Sequence, residues 1–175
     1  MKIFRIILFV LAGIMIAGCS SGVPAEMRAL MIGTEDIPAE WIIFKESKGK
    51  DWGGELYNLA FAYGNESESP ALEHQLIVYS DAAAATNGFE EYTGYIYAGD
   101  WSTPPEADFS PMAPEDKFEY RCTEREIDHV LTTICFVLHH HNNYVSALGV
   151  HLGGPLTFDV LNEILNSIDG KLNSN

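Results

Sequence analysis

The sequence predicts an α+β fold: a mostly antiparallel sheet of about six strands covered by two main helices, in the order β-β-β-α-β-β-β-α after a short N-terminal helix. Three observations predict it. Apolar segments of strand length come in two groups of three, separated by short polar turns. Two other stretches carry apolar residues at helical spacing, each opened by a capping residue. Two cysteines, Cys122 and Cys135, fall where a tight hairpin turn would set them opposite each other. Hairpins make antiparallel neighbours, and amphipathic helices must bury their apolar stripes on such a sheet, which gives a layered α+β sandwich.

In chain order, Ala25 to Ile32 suits one or two helical turns with Met27, Leu30 and Met31 inward, and the segment from Glu35 to Pro38 breaks them. Trp41–Phe44 reads as the first strand, and the polar, Gly-rich stretch from Lys48 to Gly54 as a turn. Glu55 to Tyr63 alternates, with Tyr57, Leu59, Phe61 and Tyr63 on one face. Gly64 to Pro70 is a polar turn, and its Asn65-Glu66-Ser67 matches a glycosylation sequon by chance. Leu72 to Tyr79 is the third strand. Ser80 or Asp81 then caps a helix over about Ala82 to Ala98, with Phe89, Tyr92 and Ile96 on one face and Gly88 and Gly94 weakening it.

Gly99 to Asp116 is the long irregular segment. It holds four prolines (Pro104, Pro105, Pro111, Pro114) and five acids (Asp100, Glu106, Asp108, Glu115, Asp116). Loops of this length inside a compact domain are uncommon and often functional. Three strands follow near Lys117–Ile127, Val130–Leu138 and Tyr144–Leu152, the middle one apolar on both faces as a central strand is. A turn at Asp128-His129 pairs 122 with 135, and Asn142-Asn143 suits a type I′ turn. Thr157 caps the last helix, Asp159 favours its first turn, and Phe158, Leu161, Ile164, Leu165 and Ile168 form its stripe. Gly170 is expected to end it.

The N-terminus carries Lys2 and Arg5, then an apolar run from Ile6 to Ala17. The run is shorter than the roughly 20 residues a membrane span needs, so it reads as a signal peptide. It ends in Ile16-Ala17-Gly18-Cys19, an aliphatic residue, two small residues and a cysteine. This resembles the lipobox of bacterial prolipoproteins. The resemblance implies that the Cys19 thiol receives a diacylglyceryl group of palmitate-class chains, that the chain is cut before Cys19, and that the new amine is acylated. Residues 1–18 are then the signal, 19–25 a lipidated tether and 26–172 one globular domain. Two or three acyl chains hold firmly, at about 0.8 kcal/mol per buried methylene. Ser20 after the cysteine implies the outer membrane in a Gram-negative cell; in a cell with one membrane the anchor lies on its outer face.

Loss of Lys2 and Arg5 takes the formal net charge from −15 to −17. Such a surface repels nucleic acid and anionic lipid, so the domain stands off the bilayer on its tether. With Cys19 used by lipid, Cys122 and Cys135 remain in an oxidising compartment, where a disulfide is the default. Their spacing excludes a CxxC motif.

The element order and the phrase Tyr79-Ser80-Asp81-Ala82-Ala83-Ala84 resemble PsbP/Mog1-like sandwiches and the extracellular sensor domains of certain bacterial Ser/Thr kinases. The latter bear disulfides. These are likenesses of fold, which do not carry function by themselves.

The candidate sites are few. His139 and His141 share one strand face, with His140 on the other, and two such imidazoles bind a transition metal when a third ligand comes from elsewhere. The plain alternative is a solvated polar turn. His151 lies opposite Ile134, well down the hairpin. Asp100, Glu106 and Asp108 offer oxygen to Ca²⁺ but lack EF-hand spacing. Trp101 and Phe109 are candidate contacts to a partner or ligand, or else core residues. Trp41, Trp52, Tyr57 and Tyr63 would line an aromatic groove or simply pack. Glu90 and Glu91 read as solvated helix residues.

No nucleophile elbow, zincin, P-loop or dinucleotide-binding motif occurs, and no cofactor is implied. The expected function is therefore a membrane-anchored binding or sensing module of the cell envelope, with an envelope protein or small ligand as partner. A structural or assembly factor of a membrane complex is the second expectation, from the PsbP-like resemblance. An envelope hydrolase is the third, and it requires a cleft near His74, His129, His139 or the acidic loop.

Overall fold

A computed structural model of the chain describes residues 22–64, 71–127 and 129–174. The signal, Cys19, the sequon and Asp128 lie outside them. The elements are α1 (Ala25–Arg28), β1 (Trp41–Asp51), β2 (Gly54–Tyr63), β3 (Leu72–Val78), α2 (Ala82–Ile96), β4 (Lys117–Ile127), β5 (Val130–His141), β6 (Tyr144–Leu152) and α3 (Phe158–Asn173). The strands form one six-stranded sheet in the order β1-β2-β3-β6-β5-β4, and every neighbouring pair is antiparallel. The fold is the predicted α+β class. Two three-strand meanders are joined where β3 pairs with β6, which places β3 and β6 at the centre.

The sheet is covered on both faces. On one, Leu59, Phe61, Leu72, Leu76, Val137, Leu148 and Val150 pack against Leu161, Ile164, Leu165, Ile168 and Leu172 of α3 and against Leu30, Met31 and Ile32. On the other, Ile77, Leu138, Val145 and Ala147 meet Ala85, Phe89 and Tyr92 of α2. The period-two alternation sorts each strand between these two layers. Of the described residues expected in the tether, Val23 is already buried with the core, and its N–H faces Glu46.

Four expectations are corrected. β1 does not stop at Phe44 but runs to Asp51, and the turn shrinks to Trp52-Gly53, both left-handed at φ 50° and 78°. Beyond Phe44 the strand is a largely exposed edge with Lys45, Lys48 and Lys50, so neither face shows apolar alternation; edge lysines also discourage pairing with another chain. β5 extends past Leu138 through all three histidines. The turn after it has only Asn142 left-handed, at φ 51°, so it is not type I′. Finally, Gly170 does not end α3. Leu172 is buried beyond it, and Lys171 donates to the Met31 carbonyl at 2.9 Å and to Asp36, so tertiary contacts hold one more turn.

The two caps behave as read. Asp81 accepts from the Ala84 N–H at 2.9 Å, and Thr157 from the Val160 N–H at 3.3 Å. The two α2 glycines differ sharply. A Cβ on Gly88 would overlap the Tyr79 ring, whereas one on Gly94 meets nothing within 4 Å. Gly88→Ala is expected to destabilise by about 1–3 kcal/mol through overpacking. Gly94→Ala is expected to stabilise by up to about 1 kcal/mol from helix propensity. Denaturation midpoints of the two variants should move in opposite directions; equal shifts would mean that α2 does not rest on Tyr79.

Candidate functional site

Three parts of the chain meet at the end of the sheet below the β5–β6 turn. β5 contributes His139 and His141, two residues apart and so on one face. Asp116 is the last residue before β4, which pairs with β5 and sets Phe118 opposite His139. Asp169 comes from α3, which lies over this face. Asp169 sits beside Ile168 and four residues after Leu165, at the margin of the helix's apolar stripe, so docking the stripe carries the carboxylate inward.

The geometry is tight. His139 Nε2 lies 2.8 Å from Asp116 Oδ2 and 3.7 Å from Asp169 Oδ1. His141 Nδ1 lies 3.1 and 3.0 Å from the two oxygens of Asp116. Side-chain exposure is 4% for His139, 3% for Asp116, 1% for Asp169 and 11% for His141. Asp169 also accepts from the Met112 N–H and from Asn173 Nδ2, each at 2.9 Å. The amide of Asn142 is 2.8 Å from His141 Nε2. Phe109 and Phe118 present their edges to His139, with ring centroids 6.5 and 6.2 Å away. The solvated-turn expectation for these histidines is overturned. The hairpin end is roofed by the 99–116 segment and α3, and the polar groups are satisfied by each other, as burial demands.

The third ligand that the histidines lacked in sequence is thus an acid. Among the described residues, the group of metal-type side chains with ligand spacing is Asp116, His139 and Asp169. Asp100, Glu106 and Asp108 do not form one; all three are exposed, and Glu106 contributes its carbonyl to Asn162. Of the five acids in the segment, the one adjacent to β4 carries the site.

Trp101 and Phe109 are half-buried. Trp101 packs edge-on to Tyr97 at 5.5 Å, and Phe109 lies against Phe118 at 4.7 Å. Neither residue is fully buried. Asp100, Ser102, Thr103, Pro104 and Thr133 border an open depression of about 530 Å³ next to Cys122, and Trp101 and Phe109 are not among its lining residues. Trp41, Trp52, Tyr57 and Tyr63 do not make one groove. Trp41 is buried beside Tyr63, whereas Trp52 stacks on Tyr92 of α2 at 4.6 Å.

His74 and Ser146 form a second polar pair, fully enclosed at the centre of the sheet, with His74 Nε2 at 2.9 Å from Ser146 Oγ. The Ile32 N–H donates to His74 Nδ1 at 3.1 Å. The proton of a neutral ring is therefore on Nε2 and points at the serine. A base that activates serine needs the reverse, a lone pair aimed at Oγ. Burial holds the imidazole neutral, pushing its pKa down to about 3, with Lys171 adding to the effect and Asp36 opposing it. His129 is exposed beside Glu126 at the far hairpin.

Cys122 and Cys135 are joined by a disulfide across the β4–β5 register, with Cα atoms 4.1 Å apart. That separation belongs to a non-hydrogen-bonded pair, so the backbone of Cys122 points outward. There it exchanges two hydrogen bonds with Ser102, at 3.0 and 2.8 Å. The long segment is consequently fixed at both ends, by Ser102 on the β4 edge and by Asp116 in the buried cluster.

The class defined by these features is an α+β domain whose sheet is covered on both sides and closed by a disulfide-anchored loop. No protein-family model and no curated protein matches the sequence. Among solved structures, the chain is similar in fold to the extracellular domain of PknH, a kinase from Mycobacterium tuberculosis. The likeness has a TM-score of 0.57 at 11% identity and covers 89% of this chain and 100% of that one. It agrees with the kinase sensor-domain resemblance at the level of fold. Among the described residues, no helix is long and apolar enough to cross a membrane.

Proposed function

We propose that this protein is a lipid-anchored, non-catalytic binding or sensing module of the cell envelope. The observation that carries the reading is its fold, shared over most of the chain with a domain that lies outside the cell. The disulfide supports the same compartment, since such bonds persist where the surroundings are oxidising. The lipobox residues Ile16 to Cys19 supply the anchor, and Trp101 and Phe109, on the fixed 99–116 segment, supply a surface for an envelope protein or small ligand.

Anchoring is tested by metabolic labelling with a palmitate analogue in a bacterial host. The wild-type chain is expected to take up label and sediment with membranes. Cys19→Ala is expected to lose both the label and the signal cleavage. Label retained in Cys19→Ala would remove the anchor from the proposal. Recognition is tested by capture from solubilised membranes, comparing the wild type with Trp101→Ala and Phe109→Ala. A partner lost in these variants supports the reading, and a partner held equally by them places the contact elsewhere. Stable co-migration with one large complex in native gels would favour the assembly-factor alternative.

A further inference from the structure

We propose that Asp116, His139, His141 and Asp169 form a binding site for one divalent transition-metal ion of the zinc class. The donor set is two imidazole nitrogens and two carboxylates, with no sulfur. Zinc takes such N/O ligands in tetrahedral sites with bonds of roughly 2.0–2.1 Å. Ligand atoms on that tetrahedron lie about 3.3 Å apart. Asp116, His139 and Asp169 already stand at ligand spacing, with His139 Nε2 at 2.8 and 3.7 Å from Asp116 Oδ2 and Asp169 Oδ1, distances that bracket that value; His141 Nδ1 stands beside them, 3.0 Å from Asp116 Oδ2. Small moves of these three side chains open the space for an ion, and a larger turn of the His141 ring, at the more exposed rim, brings in the fourth ligand. Calcium requires 6–8 oxygens, and magnesium an octahedral, largely hydrated shell, and the cluster offers neither.

Charge and outer contacts agree with this choice. The cluster sets two carboxylates side by side with two imidazoles in a largely buried corner, and a divalent ion complements such an arrangement. Asp169 is already oriented by the Met112 N–H and Asn173. His141 faces Asn142 with its second nitrogen. Metal sites use such outer partners to fix ring orientation and tautomer. On binding, the imidazole protons now directed at Asp116 leave those nitrogens. His141 then carries its proton on Nε2, where Asn142 accepts it after its amide turns over. The site draws one ligand from the 99–116 segment, two from β5 and one from α3, so the ion joins all three.

The test uses the full chain in detergent micelles, stripped with chelator and titrated with ZnCl₂. One zinc per chain is expected to survive desalting. At a hundredfold excess over the dissociation constant, the thermal midpoint is expected to rise by roughly 5–10 °C. X-ray absorption at the zinc edge should show an N/O shell with two imidazoles and no sulfur. His141→Asn, at the more exposed rim of the cluster, and Asp169→Asn are each expected to weaken binding at least tenfold, whereas His129→Asn is not. Absence of retained zinc, or equal affinity in His141→Asn and wild type, overturns the site. Should the ligand variants fail to fold, the wild-type spectrum decides: fewer than two imidazoles on the zinc overturns it.

Discussion

Removing the Cys122–Cys135 disulfide, as the double variant Cys122→Ala/Cys135→Ala, is expected to destabilise the domain by at least about 3 kcal/mol. The bond closes a loop with a sequence separation of 13. In the chain-entropy description, a crosslink of that span restricts the unfolded ensemble by about this amount. The native side adds to it. Cys135 is fully buried and Cys122 nearly so, in the cluster with Tyr120 and Val137, and truncation leaves unfilled space there. The effect also has a direction in space. β4 is the sheet's edge, and its outer backbone at Cys122 holds Ser102. Loosening β4 therefore releases one end of the 99–116 segment. Equilibrium denaturation should show the loss, and amide exchange should rise first around Ser102 and along β4. An unchanged midpoint would mean that the unfolded chain already keeps this hairpin closed.

The second large effect is acid destabilisation through His74. Its folded pKa is lowered to about 3 from 6.5, first by burial and then by Lys171. Between those values the unfolded chain binds a proton that the folded chain refuses. Stability is thus full above about pH 6.5 and falls with pH, by about 1.4 kcal/mol per unit, until about pH 3. The ceiling over the whole window is on the order of 4–5 kcal/mol. His140 and His151 are also shifted down by burial, which adds to the loss with the same sign. Asp36 adds at lower pH. Burial pushes its carboxyl up, but the Gly33 N–H, Lys171 and Ser167 outweigh that and hold it below its ordinary value. His74→Gln keeps an amide acceptor and donor but does not titrate. Denaturation midpoints measured from pH 7 to 4 should fall less steeply in this variant than in the wild type. Parallel slopes would assign the acid sensitivity to other groups.

Alternation was enough to separate His139 and His141 from His140, because a strand's faces follow from counting alone. Burial was not legible, since a polar run at a predicted turn looks the same whether or not another segment roofs it. Asp169 left a faint signal, at the margin of an apolar helical stripe. Asp116 left less, being one of five acids in an irregular segment. Gly170 misled for a related reason: a glycine near a helix end reads as a stop, but Leu172 and Lys171 beyond it find tertiary partners. Trp52 is the converse case. Its left-handed backbone is unexpected for a bulky residue, and its stack on Tyr92 holds it there.

Local chemistry thus determined the order of strands and helices, the Thr157 cap and a cap at Ser80 or Asp81, the 122–135 register and the face each histidine takes. All of these follow from period, backbone preference or pairing arithmetic within a few residues. Tertiary structure alone decided that β3 and β6 meet at the centre, that β1 outruns its apolar residues, and that Asp116 and Asp169 reach the same imidazole. Those outcomes depend on which surfaces exclude water together. That property belongs to the packed layers of sheet, loop and helix, and no single segment carries it.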